Sequence, residues 1–343
     1  MVIKVTDETG ATVSTVNVGR SLVVDFELPD NPGRSKVAVL TQPGAQDVAA
    51  AYVEKLREMG LETHSMVLPD REQAKTWKIV AKAHAWLAEI RITRRDTVLG
   101  VGGGSLTDVA GFVAATWLRG VEIAYVPTTL LGAVDAAIGG KTGINLVGKN
   151  LVGAFRHPVS VTVDLDVLDS VPLEIQREGW AEVYKTALIA DPEMLKLLHE
   201  RGPSTPLDDV VERAVRFKAE VVSDDFRELG RRAVLNFGHT IGHAVELAAG
   251  CSHGEAVSVG IVAASTISLD RYGFDTNVRE GLALFGLPTT ASADVMKIKE
   301  LLLLDKKNDG DGIRMVLLRE VADPIVDNVT DVEIEVALRS VGL

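Results

Sequence analysis

The sequence holds one cysteine, Cys251. That excludes an internal disulfide framework and makes a reducing, cytoplasmic setting the default expectation. No apolar run approaches the roughly 20 residues that span a bilayer. The opening MVIKVTDETG has neither a long apolar core nor a small-residue cleavage site, so no signal peptide is expected. Basic residues are in the minority: 36 Lys and Arg face 48 Asp and Glu, a net charge of −12. Nucleic acid and anionic membrane both need basic surface, and both are disfavoured as partners. A small anionic substrate is compatible with this charge, because local lysines can build a positive pocket inside an acidic protein. The chain also lacks internal repeats, low-complexity segments, a G-x-G-x-x-G fingerprint and a P-loop.

What is present is the balance of a globular protein, 46% hydrophobic and 24% charged. A chain of 343 residues is long enough for two domains, each with its own core. The first thirty residues alternate weakly and read as edge strands. A repeating rhythm follows: strand over 36–41, helix over 45–59, strand over 64–68, helix over 72–90, strand over 97–100, helix over 105–117 and strand over 121–126. Strand alternating with helix predicts a parallel sheet covered on both faces, the Rossmann-like arrangement of an α/β domain. Beyond about residue 173 helical spacing dominates, over 182–188, 210–222, 236–249 and 256–270, with a late strand-like stretch at 314–318. The expected division is an α/β domain over 1–165 and a mainly helical domain over 166–343.

Gly102-Gly103-Gly104 falls between a predicted strand and a predicted helix. Glycine lets backbone approach a pyrophosphate, and free N–H groups at a helix start suit it. Ser105 is placed to cap that helix, and Asp108 to lie in its first turn. The same glycines also fit a tight turn with no ligand. In the second half, His239 and His243 are four residues apart and share a helix face, and His253 follows ten residues on. Imidazoles with a carboxylate such as Glu182 suit zinc and leave a position open for substrate. Spacing leaves open whether His243 is a ligand or an acid/base group, and whether the histidines only cap and pack. Cys251 reads as a small core residue rather than a thiolate ligand. Lys141 and Lys149 lie in short glycine-containing loops, and Lys185, Lys218, Arg232, Lys306 and Lys307 add cations that suit phosphate.

Eight segments in order resemble the 3-dehydroquinate synthase family: GVGGGSLTDVAGFVAATWLRG, VPTTLLGAVDAAIGGKTGIN, GKNLVGAF, AEVYKTALI, KAEVV, RRAVLNFGHTIGHAVE, HGEAV and DKK. The resemblance implies a two-domain fold with the active site in the cleft between domains, and a homodimer. It implies NAD, one zinc or cobalt ion, and conversion of 3-deoxy-D-arabino-heptulosonate 7-phosphate to 3-dehydroquinate in the shikimate route. Glu182, His239 and His253 would hold the metal, with His243 on the substrate side. Lys141, Asn150, Arg119, Asn236 and the Asp305-Lys306-Lys307 run would hold phosphate. Lys185, Lys218 and Arg232 would hold the substrate carboxylate and hydroxyls, and Asp135 the reacting hydroxyl region. NAD would lie across Gly103, Gly104, Asp108, Thr128, Thr129, Leu131, Lys149 and Ser170, with Glu72 and Lys75 near its adenosine end.

Four features depart from the family pattern. Phe226 stands where a glutamate is common, while Glu228 is kept; Trp180 replaces a smaller apolar residue; the segments between Lys141 and Lys149 and between Glu246 and His253 are short. None removes a group with a chemical role. The rival readings are an amino-dehydroquinate synthase, which shares almost every residue named; cyclases making valiolone- or inosose-type rings, which tend to change the Asn236-type or Lys306/Lys307-type positions kept here; a metal-dependent polyol dehydrogenase, which would need fewer lysines; and an inactive NAD-binding homologue.

Overall fold

The structure is a computed structural model that describes residues 1–146, 148–274, 277–309 and 313–343, with side chains left undescribed over 304–309. Lys306 and Lys307, with Asp305, therefore lie outside the described side chains. The chain forms two compact units, one of Met1–Pro172 with Lys218–Arg227, the other of Leu173–Phe217 with Glu228–Leu343.

The first unit runs β1 (Val2–Thr6), β2 (Thr12–Gly19), β3 (Lys36–Thr41), α1 (Gln46–Glu58), β4 (Glu62–Val67), α2 (Trp77–Glu89), β5 (Thr97–Gly102), α3 (Gly104–Thr116), β6 (Glu122–Pro127), β7 (Lys141–Ile144), β8 (Val152–Phe155), β9 (Ser160–Asp164) and α4 (Leu165–Asp169). Seven strands form one sheet in the order β1-β2-β9-β6-β5-β3-β4, parallel except where β1 meets β2. β7 and β8 form a separate antiparallel hairpin. The α/β expectation holds, but β2 is an interior strand paired to β9, not an edge. A short alternating segment read alone does not reveal a strand that arrives some 140 residues later. Val37, Val39, Leu99, Val101, Ala124 and Val126 of the central strands pack with Tyr52, Val53 and Leu56 of α1. Such continuous apolar runs are what a sheet covered on both faces needs.

Strand order fixes where this unit can bind a ligand. From β3 the chain moves outward to β4, then returns to the other side of β3 for β5 and continues to β6. The order reverses between β3 and β5, and a crevice opens beyond their carboxyl ends. Those ends are Thr41-Gln42 and Gly102-Gly103.

The second unit contains α5 (Leu173–Ala190), α6 (Pro192–Arg201), most of α7 (Leu207–Asp224), α8 (His239–Ala249), α9 (His253–Tyr272), α10 (Val278–Leu284), α11 (Val295–Asp309), the antiparallel pair β10 (Ile313–Leu318) and β11 (Pro324–Val329), and α12 (Asp331–Ser340). Among the described residues no helix is long and apolar enough to cross a membrane. α8 and α9 pack at backbone distance: a Cβ on Gly260 would lie 1.8 Å from the Gly238 carbonyl oxygen, and one on Gly242 would lie 2.9 Å from that of Ala256.

Two predicted helices are interrupted. Over 72–90 the chain first makes a 3-10 turn, Arg71–Ala74, and α2 begins only at Trp77, where the Thr76 hydroxyl accepts from the Ile79 N–H at 3.4 Å. Over 236–249 a 3-10 turn ends at Asn236, and Gly238 takes φ 79° before α8 begins. Capping and a left-handed glycine override continuous periodicity at both places.

Replacing Gly260 by alanine forces α8 and α9 apart. Its expected cost is about 3 kcal/mol, the upper end for overpacking. Thermal unfolding followed by circular dichroism checks it, with the exposed Gly44→Ala as a control that should not move the midpoint.

Candidate active site

The helical unit gathers three metal-type donors. Glu182 lies in the middle of α5, which is buried without a break from Gly179 to Ile189. His239 opens α8 and His253 opens α9. One donor atom from each lies within 4.8 Å of the others. The Nε2 atoms of His239 and His253 stand 3.5 and 3.4 Å from the same Glu182 oxygen. Donors about 2.1 Å from a tetrahedral ion stand about 3.4 Å apart, so the set fits zinc.

Two further observations support that fit. Both Glu182 carboxylate oxygens are buried, Oε1 facing the two imidazoles and Oε2 paired with the Lys185 ammonium. The far nitrogen of each imidazole is already engaged: Nδ1 of His239 lies 3.1 Å from the Phe237 carbonyl oxygen, and Nδ1 of His253 lies 3.2 Å from the Glu246 carboxylate. Such outer partners fix ring orientation and turn Nε2 toward an ion. The start of α9 is held as well, by a capping box in which Ser252 and Glu255 satisfy each other's backbone N–H groups.

The electrostatics match. Burial opposes charge on Glu182, but Lys185 and the two imidazoles outweigh it and hold the carboxyl well below its usual range. Burial, then the Lys185 ammonium, holds His239 well below the usual histidine range, so it is neutral and ready to ligate. Burial also opposes charge on His253, but Glu182 and Glu246 prevail and push it up to about 9. Lys185 is buried and paired with Glu182. His243 is exposed on α8, its ring centre 5.2 Å from that of His239 and 6.0 Å from that of His253, outside the three-donor set. Arg232 is buried, and Asn236 donates to Glu228 at 2.8 Å. Trp180 packs its ring 4.9 Å from Phe285, which absorbs its size within the helical core.

The α/β unit carries the other candidates. Gly103, not Ser105, caps α3; Ser105 lies within the helix and its hydroxyl accepts from Gln42 at 3.2 Å. Asp108 likewise lies beyond the first turn, where its carboxylate pairs with Lys75 at 2.6 Å. Burial pushes the Asp108 carboxyl up, against the pull of Lys75. Gln42 also accepts from the Gly103 N–H at 3.3 Å, so it spans the crevice where strand order reverses. The glycines are partly explained by packing: a Cβ on Gly103 would meet the Thr129 methyl at 3.2 Å, and one on Gly104 would meet Ala136 at 3.0 Å. Thr128 binds back to Gly102 through its N–H at 2.9 Å, and Leu131 precedes a π-helical turn, Gly132–Ala136. That turn carries Asp135, which pairs with Lys218.

Lys75 is buried, its ammonium between Asp108 and the Asn150 side chain. Glu72 accepts from Asn145 at 2.6 Å. Lys141 is exposed at the start of β7, Lys149 is half-buried, and Ser170 is exposed at the end of α4. Arg119 is exposed in a turn where Leu118 and Arg119 both have positive φ. Phe226 stacks on His157 at 3.8 Å and meets Phe155 edge-on at 5.4 Å, replacing a charged position by an aromatic cluster. Reading the sequence missed Gln42, Asn145 and Glu246. Only the first carried a usable signal, a polar residue at the end of an apolar strand.

The chain matches the 3-dehydroquinate synthase N-terminal family model over residues 65–178 and the 3-dehydroquinate synthase C-terminal model over 179–308. It is 44% identical over 316 residues to the 3-dehydroquinate synthase of Thermobifida fusca, covering 88% of this chain and 86% of that one. Among solved structures it resembles the 2-epi-5-epi-valiolone synthase of Streptomyces hygroscopicus subsp. jinggangensis, with NAD+ and zinc bound, at 28% identity and a TM-score of 0.87 over 95% of this chain and 96% of that one. It also resembles a 2-deoxy-scyllo-inosose synthase complexed with carbaglucose-6-phosphate, NAD+ and cobalt, at 25% identity and a TM-score of 0.85 over 99% of each chain. The chain belongs to the 3-dehydroquinate synthase family.

A metal ion must displace the proton that His253 holds below about pH 9. Zinc affinity is therefore expected to rise about tenfold per pH unit from neutrality toward that value and then level off. Calorimetric titration of the metal-free protein in two buffers of different ionisation enthalpy should show about one proton released per ion at pH 7. Affinity independent of pH would contradict the assigned protonation state.

Proposed function

We propose that this protein is a metal- and NAD-dependent cyclase that converts 3-deoxy-D-arabino-heptulosonate 7-phosphate into 3-dehydroquinate and inorganic phosphate, on the shikimate route to aromatic amino acids. The observation that carries this reading is the buried set of Glu182, His239 and His253 in a chain of this family.

When bound, the metal supplies Lewis acidity toward substrate hydroxyls, and NAD supplies a hydride acceptor that is restored within each turnover. Glu182, His239 and His253 hold the ion, and Glu246 and the Phe237 carbonyl set the two imidazoles. Lys185 neutralises the buried carboxylate on one side and, with Arg232, offers positive charge to the substrate's own carboxylate. Asn236 is oriented by Glu228. His243 lies on the substrate side, beside the leaving group. Lys141, Asn150, Arg119 and the Lys306-Lys307 run neutralise phosphate as it departs, and such charge stabilisation acts most strongly where charge develops. Asp135 and Lys218 act as a pair at the reacting hydroxyls. NAD would be held along Gly103, Gly104, Asp108, Thr128, Thr129, Leu131, Lys149 and Ser170, with Glu72 and Lys75 near its adenosine end and Lys75 paired with Asp108. A homodimer in the cytoplasm belongs to the same reading, and sedimentation would measure the assembly.

Incubation with the heptulosonate phosphate, sub-stoichiometric NAD and zinc or cobalt should release phosphate over many turnovers per NAD, yield 3-dehydroquinate by mass, and stop with a chelator. Glu182→Gln is expected to lower the rate by more than about a hundredfold. No phosphate release with either metal sinks the assignment. Turnover of the aminated substrate instead moves the protein to the amino-dehydroquinate synthases, and stoichiometric NADH marks a dehydrogenase.

A further inference from the structure

The Asn145 amide bridges two segments of the protein. Its Nδ2 donates to the Glu72 carboxylate at 2.6 Å, and its Oδ1 accepts from the Asn150 N–H at 3.0 Å. Its own backbone N–H donates to the Lys75 carbonyl at 2.9 Å. It thereby ties the 3-10 turn Arg71–Ala74 to Asn150, which lies beyond the end of β7. A second bridge runs beside it, from Asp108 through the buried Lys75 ammonium to the Asn150 side chain. Asn150 sits at φ 57°, a conformation that costs energy in a non-glycine residue and persists when its surroundings fix it. Here both its backbone and its side chain are fixed, one by Asn145 and one by Lys75.

We infer that Asn145 is a positioning residue that couples dinucleotide binding at Glu72 and Asp108 to phosphate binding at Asn150. This inference rests on the assignment of those contacts under the proposed function. The physical reason is that both ligands draw on one closed set of hydrogen bonds. A dinucleotide at Glu72 and Asp108 stabilises the bonds to Asn145 and Lys75 that hold Asn150 in its left-handed conformation, and phosphate at Asn150 stabilises the same bonds from the other end, which makes binding of the two ligands cooperative and reciprocal. The bonds shown for the Asn145 amide run to other protein groups, which makes its role one of positioning.

Calorimetry on the zinc-loaded full chain tests this with two probes, NAD and inorganic phosphate. In the wild-type protein, saturating NAD is expected to tighten phosphate binding by about tenfold, and phosphate to tighten NAD binding by the same factor. In Asn145→Ala that factor falls to about one, and KM for the sugar phosphate rises more than kcat falls. A wild-type protein without coupling overturns the inference, and so does Asn145→Ala with coupling intact. A merely structural role would lower the unfolding temperature and leave the coupling factor alone. Should the alanine variant not fold, Asn145→Asp keeps the acceptor for the Asn150 N–H but sets a carboxylate against Glu72. It is expected to lose coupling. Full coupling in Asn145→Asp overturns the inference. Failure of the wild-type protein to turn over the heptulosonate phosphate would remove the proposed function, while the NAD–phosphate coupling is read without turnover.

Discussion

The helical unit is built around one constraint, a carboxylate inside it. Glu182 is 1% exposed, and a charge taken out of water to that degree persists only with compensation close at hand. Lys185, three residues along the same helix, supplies part of it, and the His253 imidazole supplies more, with the His239 imidazole facing the same oxygen. Those imidazoles come from helices that must start within a few ångströms of α5 and of each other. Small residues make this possible: a Cβ on Gly254 would lie 2.4 Å from the Glu178 Cα, and Gly238, Gly242 and Gly260 leave no room for side chains between α8 and α9. These four glycines serve backbone proximity, and backbone proximity serves the buried charge.

The two halves of the chain were unequally legible. In the α/β half, alternating apolar strands and helices identified the layers, because a sheet covered on both faces leaves that pattern wherever it occurs. Strand order left no such trace. β2 reads as an edge strand by its weak alternation, yet it pairs with β9. The reversal point that makes Gln42 and the glycine loop neighbours is a property of the sheet, not of any window in the chain. The triple glycine also carries less information than its motif suggests, since Cβ atoms at Gly103 and Gly104 would crowd Thr129 and Ala136.

In the helical half, histidine spacing and a glutamate in a distant motif nominated Glu182, His239, His243 and His253 together, and only the resemblance to the 3-dehydroquinate synthase family narrowed them to Glu182, His239 and His253. Their nomination drew on residue type, which the sequence displays. The partners that orient them are a backbone carbonyl at Phe237 and the acid Glu246, indistinguishable in sequence from other carbonyls and surface acids. Asn145 was hidden for the same reason, because an asparagine that binds only its own chain looks like one that binds nothing. Ser105 and Asp108 were misplaced by two residues, because the helix is capped by Gly103 rather than by Ser105, whose hydroxyl is engaged by Gln42.

His239 and His253 are each the first residue of a helix, and the connection between those helices ends at Gly250, left-handed at φ 68°, and at the capping box of Ser252 and Glu255. The position of each imidazole is thus referenced to where a helix begins rather than to the length of chain leading to it. Residues can be gained or lost in the link while both starting points stay where glycine contacts and caps put them. The short segment between Glu246 and His253 is a change of this kind, and it leaves the two nitrogens facing one carboxylate oxygen. Geometry that is anchored at helix starts can drift in loop length across a lineage without drifting in chemistry.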